Sequence, residues 1–583
     1  MRRSFAILSV FSCFFMAADI LAGPQEGNRS KDTGESALMS VENRVAVPER
    51  YRPGIAAITE RDSRTLLSFL ASDLLEGRET GSRGYRLAAE YAASLFSLWG
   101  LEPAGDMAGD GGRSYLQEVV MKEYTGLGCT AVWSARGGEG SQGRTFHEGV
   151  DLENYYRNRI PETISGPVVF AGYGLSEPSA AYDDFAGLEL KGRIVMILDD
   201  VPGRGSSASP FVNGEAGERP RAVIWFDGLK KANAAAAKGA RAVLVVRSSL
   251  SAGDIYAEMG PPTPDDERPI IREPNRLVTL PGAKREGGAI FISREMADFI
   301  LASSGRTVES LKAEIESRWK PVSFEVPGGR LTIQNSAEGE KLLRCQNVIG
   351  YIPGSDPRLK DETVMIGAHM DHLGRRDPYV FNGADDNASG VTGVLEIARA
   401  VAVLPIKPKR TIVFCLWTGE EHGLLGSTFY AGRPAFPLAQ AAAYLNLDMI
   451  GRPYDEMSLK ARMKKLKIAV TIQDHITPGN FAVVAFTAER GLGEILRQAN
   501  QVVGFDLWPQ AESIMKSSGI VSDYVPFAAA QVPCLYWAGV LHGDYHQTSD
   551  ETENIDFERM TRTIRLAYLC TVTLADKSKR NSP

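Results

Sequence analysis

ETVMIGAHMDHLGRRDPYVFNGADDNASGVTGVLEIARA, residues 362–400, decides the fold. It opens on an apolar, strand-like run that ends in His369 and Asp371. It then passes an acidic turn set among small residues, Asp385 and Asp386, and closes on a helical pattern. The same rhythm recurs on either side. NVIGYIPG (347–354), KRTIVFCLWTGEE (409–421), AAAYLNLDMIG (441–451) and QVPCLYWAGV (531–540) are apolar, β-branched or aromatic runs. RGLGEILRQANQVVG (490–504) and MTRTIRLAYLCTVTLAD (560–576) read as helices. Strands alternating with helices predict a largely parallel sheet covered on both faces. Such sheets gather ligands outside the carboxyl ends of their strands, and that is where the polar segments of this chain fall.

Those segments carry metal-binding chemistry. His369 and Asp371 are two apart at a strand end and so share a face; the histidine suits a metal and the aspartate a supporting hydrogen bond. His372, their neighbour, falls on the opposite face and reads as structural. Asp385 and Asp386 offer a carboxylate able to bridge two cations, although an acidic turn before a helix is also an ordinary cap. Glu420 and Glu421 follow the strand TIVFCLW. Adjacent side chains diverge, so one can bind metal while the other faces a water whose pKa the metal lowers. Asp448 closes a buried strand, a costly place for a carboxylate unless it is paired or ligating. His546 lies in GDYHQTSDET, with His542 four residues earlier. Imidazole is a common zinc ligand, and two of only seven histidines fall where this site needs them. Spacing alone leaves open which acid of each pair does which task.

The rest of the chain frames this region. Its 583 residues exceed one hydrophobic core. A net charge of -7 gives no sign of a nucleic-acid partner. Arg2 and Arg3, the short apolar run from Phe5 to Met16 and the small residues up to Ala22 predict a signal peptide over 1–22, hence periplasmic or extracellular export. No later stretch reads as a membrane span. A polar leader follows over 23–57. Residues 58–127 begin the main domain with two helices around EGRETGSRG; Asp62 or Ser63 caps the first and Gly100 ends the second. Residues 128–335 are β-rich with one alanine-rich helix and form a separate α/β domain. Residues 336–577 complete the main domain. The five cysteines after the signal are widely spaced and define no pairing.

Taken together, ASDLLEGRETGSRG, NVIGYIPG, GAHMDHLG, NGADDNASG, TGEEHGLLGS, NLDMIG, SDYVPF and DYHQTSDE resemble the M28 family of co-catalytic zinc peptidases, over roughly 60–125 and 340–575. The resemblance implies an α/β fold, a mixed and largely parallel sheet flanked by helices. It implies two Zn2+ per chain. His369, Asp385 and Asp448 would hold one ion; Asp385, Glu421 and His546 would hold the other, with Asp385 bridging. Glu420 would be the general base, Asp371 would support the site through His369, and Tyr545 would stabilise the tetrahedral intermediate. Residues 128–335 resemble an inserted protease-associated domain. Tyr524 departs from the histidine that the family often has in its SD-x-x-PF segment.

The implied activity is hydrolysis of peptide bonds at chain ends, with an aminopeptidase favoured and a carboxypeptidase or dipeptidase as the alternative. Arg375, Arg376 and Arg452 are the guanidiniums to watch for the alternative. A receptor-like binding protein would lack ligands, and a glutaminyl-cyclase-type acyltransferase would use one zinc. The expected partner is a peptide, and the reading leaves room for a homodimer.

Overall fold

A computed structural model describes residue 41 and residues 44–578, except 110, 136–142, 155–159, 179–180, 205, 207–208, 212–220, 248–274, 284–288, 455–477, 488–490, 512–520 and 540–541. The signal-peptide reading therefore lies outside the described residues. The chain divides into two compact units, one of which spans Lys122–Leu342, while the other contains Val10–Met121 and Leu343–Pro583.

The larger unit is built on a mixed sheet. Eight of its ten strands are β1 (Leu116–Thr125), β2 (Gly339–Ile352), β3 (Thr363–His369), β4 (Thr411–Trp417), β5 (Ala441–Asp448), β6 (Phe481–Thr487), β7 (Asp506–Ala511) and β8 (Cys534–Ala538). They lie in the order β1-β2-β4-β3-β5-β8-β6-β7. The four central strands, β4, β3, β5 and β8, run parallel, whereas β2 joins β4 and β6 joins β8 antiparallel. Every residue of β3 and β4 is buried, as strands covered on both faces must be. Strand β6 was not anticipated, because its sequence follows a stretch with no clear apolar rhythm.

The longer helices of this unit are α1 (Glu60–Leu70), α2 (Arg83–Leu98), α3 (Gly390–Ala402), α4 (Leu425–Gly432), α5 (Leu492–Val503) and α6 (Phe557–Asp576). Thr59, three residues before the expected Asp62 and four before Ser63, caps α1: its side chain accepts from the Asp62 N–H. Ser82 caps α2 in the same way, and Gly100 follows that helix in the left-handed region, at φ +74°. Under the sheet, Trp417 donates its ring N–H to the Tyr444 hydroxyl at 2.8 Å, and Tyr444 stacks on Phe527 with centroids 4.0 Å apart. Gly367 in β3 makes room for this pair: a Cβ there would come within 2.7 Å of the Tyr444 oxygen and 2.8 Å of the Trp417 nitrogen.

The smaller unit has two main sheets of its own. One is six-stranded, with Val168–Ala171, Ile194–Leu198, Ala242–Arg247 and Ala289–Ser293 parallel at its centre. The other is four-stranded and antiparallel, centred on Gly128–Ala135 and Gly329–Ser336. Among the described residues no helix is long and apolar enough to cross a membrane. Cys129, Cys345, Cys415, Cys534 and Cys570 are all free and buried.

Candidate metal centre

The parallel topology brings the polar segments to one place. His369 is the last residue of β3 and Asp448 the last of β5, while Glu420 and Glu421 follow β4 by a short turn. Asp385 and Asp386 lie in the irregular turn Ala384–Ser389 that leads into α3, and His546 lies beyond β8. All are buried. His546 sits at φ +57° and Met449, directly after Asp448, also at φ +57°. Side chains with a Cβ rarely adopt this region, and such residues concentrate at functional sites.

Two pockets share one carboxylate, and that carboxylate is Asp386. Its Oδ1 lies 3.3 Å from His369 Nε2, which is also 3.3 Å from Asp448 Oδ1. Its Oδ2 lies 2.9 Å from His546 Nε2, which is 3.3 Å from Glu421 Oε2. His369, Asp386 and Asp448 form one cluster able to hold a cation; His372, Asp386, Glu421 and His546 form another. The structure thus brings together His369, Glu421, Asp448 and His546 but puts Asp386 where Asp385 was expected. The Asp385 carboxylate is turned away: it accepts the Gly451 N–H at 2.6 Å and lies 3.2 Å from His542 Nε2. Neighbouring side chains in this turn point to opposite sides, and the main chain just beyond β5, at Gly451, takes up the first of them.

The donor set fits zinc. His546 Nε2 lies close to two carboxylates yet makes no hydrogen bond with either. A cation shared among these groups would satisfy all three, and buried nitrogen and oxygen donors of this kind are zinc's preferred ligands.

Asp371 performs a different task from the one expected. His369 Nδ1 lies 3.1 Å from the backbone carbonyl of Asp371, with the carboxylate at 4.0 Å. The carboxylate instead accepts from the backbone N–H groups of Glu420 (3.1 Å) and Glu421 (3.3 Å) and from the Thr80 hydroxyl (2.8 Å). It therefore sets the turn that points the two glutamates in different directions. Asp550 does the same for the acidic turn, accepting from the N–H groups of Asp385 (3.0 Å) and Asp386 (3.0 Å). His372, expected to be structural, presents Nδ1 to Glu421 Oε1 at 2.9 Å. Tyr545 stacks on the His546 ring with centroids 3.8 Å apart.

Sequence reading missed Arg78. It is fully buried and its guanidinium donates to four backbone carbonyls: Leu70, Met370 (3.0 Å), Asn382 (2.7 Å) and Gly383 (3.0 Å). One side chain thereby ties the end of β3 to the loop that carries Asp386. Glycine and threonine in EGRETG marked a turn, but nothing local showed that its arginine reaches across the fold.

The electrostatics separate the two glutamates. Burial first, then the charges of Glu421, Asp523 and Asp448, push Glu420 well above the usual carboxylate range. Burial also opposes ionisation of Glu421 and Asp386. There the facing imidazoles prevail, His546 and His372 at Glu421 and all three histidines at Asp386, and both carboxylates are held low.

Residues 347–570 match the model of peptidase family M28. This stretch of the chain is similar to that family. Among similar proteins, a probable glutamate carboxypeptidase of Arthroderma benhamiae is 37% identical over 147 residues, which is 24% of this chain and 19% of that protein. Leupeptin-inactivating enzyme 1 of Streptomyces exfoliatus is 39% identical over 108 residues, 18% of this chain and 23% of that protein. The chain thus spans about a fifth of the length of these curated relatives. An aminopeptidase from Aneurinibacillus sp. superposes with a TM-score of 0.47 at 17% identity, over 91% of this chain and 98% of that one. The M28 match begins at Asn347 and ends at Cys570, so it contains all the clustered ligand residues, while Arg78 and Thr80 lie outside it.

Proposed function

We propose that the chain is an exported metallopeptidase that binds two zinc ions and removes residues from the amino termini of peptides. The observation that carries this reading is Asp386, one carboxylate whose two oxygens face two separate ligand clusters. His369, Asp386 and Asp448 would hold one ion; Asp386, Glu421 and His546 would hold the other. Bound there, the ions would supply Lewis acidity, polarising a carbonyl and bringing a water's pKa towards neutrality.

The chain's own residues account for the remaining steps. Glu420 lies against the first pocket, with one of its oxygens within 4.8 Å of donor atoms of His369 and Glu421. It takes a proton from the attacking water on a carboxylate oxygen and returns it to the leaving nitrogen. A neighbour held ionised beside a group that takes up protons readily is the pairing that acid–base catalysis uses. Asp371 holds Glu420 and Glu421 by their backbone N–H groups, so Glu420 need not reorganise as the proton moves. Tyr545, packed on His546, would donate a hydrogen bond from its hydroxyl to the developing oxyanion.

An amino terminus is favoured over a carboxyl terminus by charge. Asp371, Asp385, Asp386, Glu420, Glu421, Asp448, Asp523 and Asp550 are all buried at this centre, with Arg78 the guanidinium among them. The two cations would offset part of this charge, and what remains favours a substrate ammonium over a carboxylate. Arg375, Arg376 and Arg452 are each paired with an acid of the protein, Asp377, Glu79 and Asp544. Residues 128–335, on this reading, are a protease-associated insertion.

A panel of peptides with free or blocked termini, assayed with and without chelator, tests the proposal. Release only from free amino termini, abolished by chelator, is expected. Cleavage that survives chelation, or release from free carboxyl termini alone, would overturn it.

A further inference from the structure

We infer that His372 is a fourth protein ligand of the second pocket, which then holds its cation through two imidazoles and two carboxylates. The inference rests on the two-metal reading above but adds a residue to it. His372 Nδ1 lies 2.9 Å from Glu421 Oε1 and 3.9 Å from Asp386 Oδ2. On the other side, His546 Nε2 lies 2.9 Å from Asp386 Oδ2 and 3.3 Å from Glu421 Oε2. One donor atom from each of the four residues falls within 4.8 Å of every other. A tetrahedral zinc with bonds of about 2.1 Å sets its donors about 3.4 Å apart, and these separations bracket that value.

The ring is built into place. It is buried and stands edge-on to His546, with centroids 5.5 Å apart. The backbone N–H of His372 donates to the carbonyl of Arg78 at 3.2 Å. Gly383, at φ +55°, leaves the space the ring fills: a Cβ there would meet its Cγ and Cδ2 at 2.5 Å. The same loop carries Asp386, so the ring and the shared carboxylate are positioned together. The two pockets are then unequal: among the described residues the first groups His369, Asp386 and Asp448, one donor fewer.

The test loads the full chain with Co2+ and counts, by proton NMR, the solvent-exchangeable imidazole N–H signals shifted far outside the ordinary range. Three such signals are expected in the native protein. His372→Asn loses one, and stepwise Co2+ titration of that variant shows one of the two ions weakened by about 10–100-fold. Two shifted signals in the native protein, both retained in the variant, would overturn the inference and leave His372 as a hydrogen-bond donor to Glu421. The native count stands even if the variant does not fold. A single bound ion that still shifts the signals of both His372 and His546 would sink the two-metal reading while leaving this assignment intact.

Discussion

At the scale of single residues, the two acidic pairs behave differently. Asp385 and Asp386 are neighbours of the same type, and only the turn decides between them. Asp385 spends its carboxylate on the Gly451 N–H and faces His542, while Asp386 faces His369 and His546. Asp386→Ala is therefore expected to lose bound metal, measured by elemental analysis. Asp385→Ala keeps both ions but lowers the unfolding free energy by about 1–3 kcal/mol, because the buried Gly451 N–H loses its acceptor. For the glutamates, Glu420→Gln should retain two ions and lower kcat by about 10²–10⁴-fold; metal loss in that variant would reassign Glu420 as a ligand. His369, Glu421, Asp448 and His546 were legible in the sequence because each ends an apolar run. The choice within Asp385–Asp386 was not, since it depends on the Gly451 N–H beyond β5 and on His542, which local sequence does not show.

At the scale of elements, the segment between α1 and α2 matters more than its length suggests. Arg78 bonds four carbonyls from three separate stretches, and Thr80 holds Asp371. Sequence reading saw only a loop between helices, because a side chain that binds backbone leaves no complementary residue to find. Arg78→Met should destabilise the protein by at least about 3 kcal/mol in denaturant unfolding, since several buried carbonyls lose a charged donor. Helix α3 offers a pH test away from the ligands. Burial, working against Arg399, raises Glu396 from 4.5 to about 7. The folded state then binds this proton more tightly than the unfolded state, so stability falls as pH rises from about 4.5 to 7. Glu396→Gln should gain stability relative to the native protein across that window, by up to about 3 kcal/mol. Parallel stability curves would show that Glu396 does not titrate there. The strands β2 to β5 and β8 were readable from their β-branched runs; β6 was not, because what precedes it breaks the rhythm.

At the scale of the molecule, the clustered ligands, Arg78, Thr80 and Asp550 all fall in the unit formed by Val10–Met121 and Leu343–Pro583. Bringing so many buried carboxylates together is unfavourable without compensating charge. Bound cations that the unfolded chain cannot hold should therefore raise the melting temperature, and chelation should lower it. The most direct measurement is an anomalous-difference map at the zinc edge from crystals of the zinc-loaded protein. Two peaks on either side of the Asp386 carboxylate, each touching one of its oxygens, are expected. A single peak, or two peaks joined by Asp385, would contradict the account.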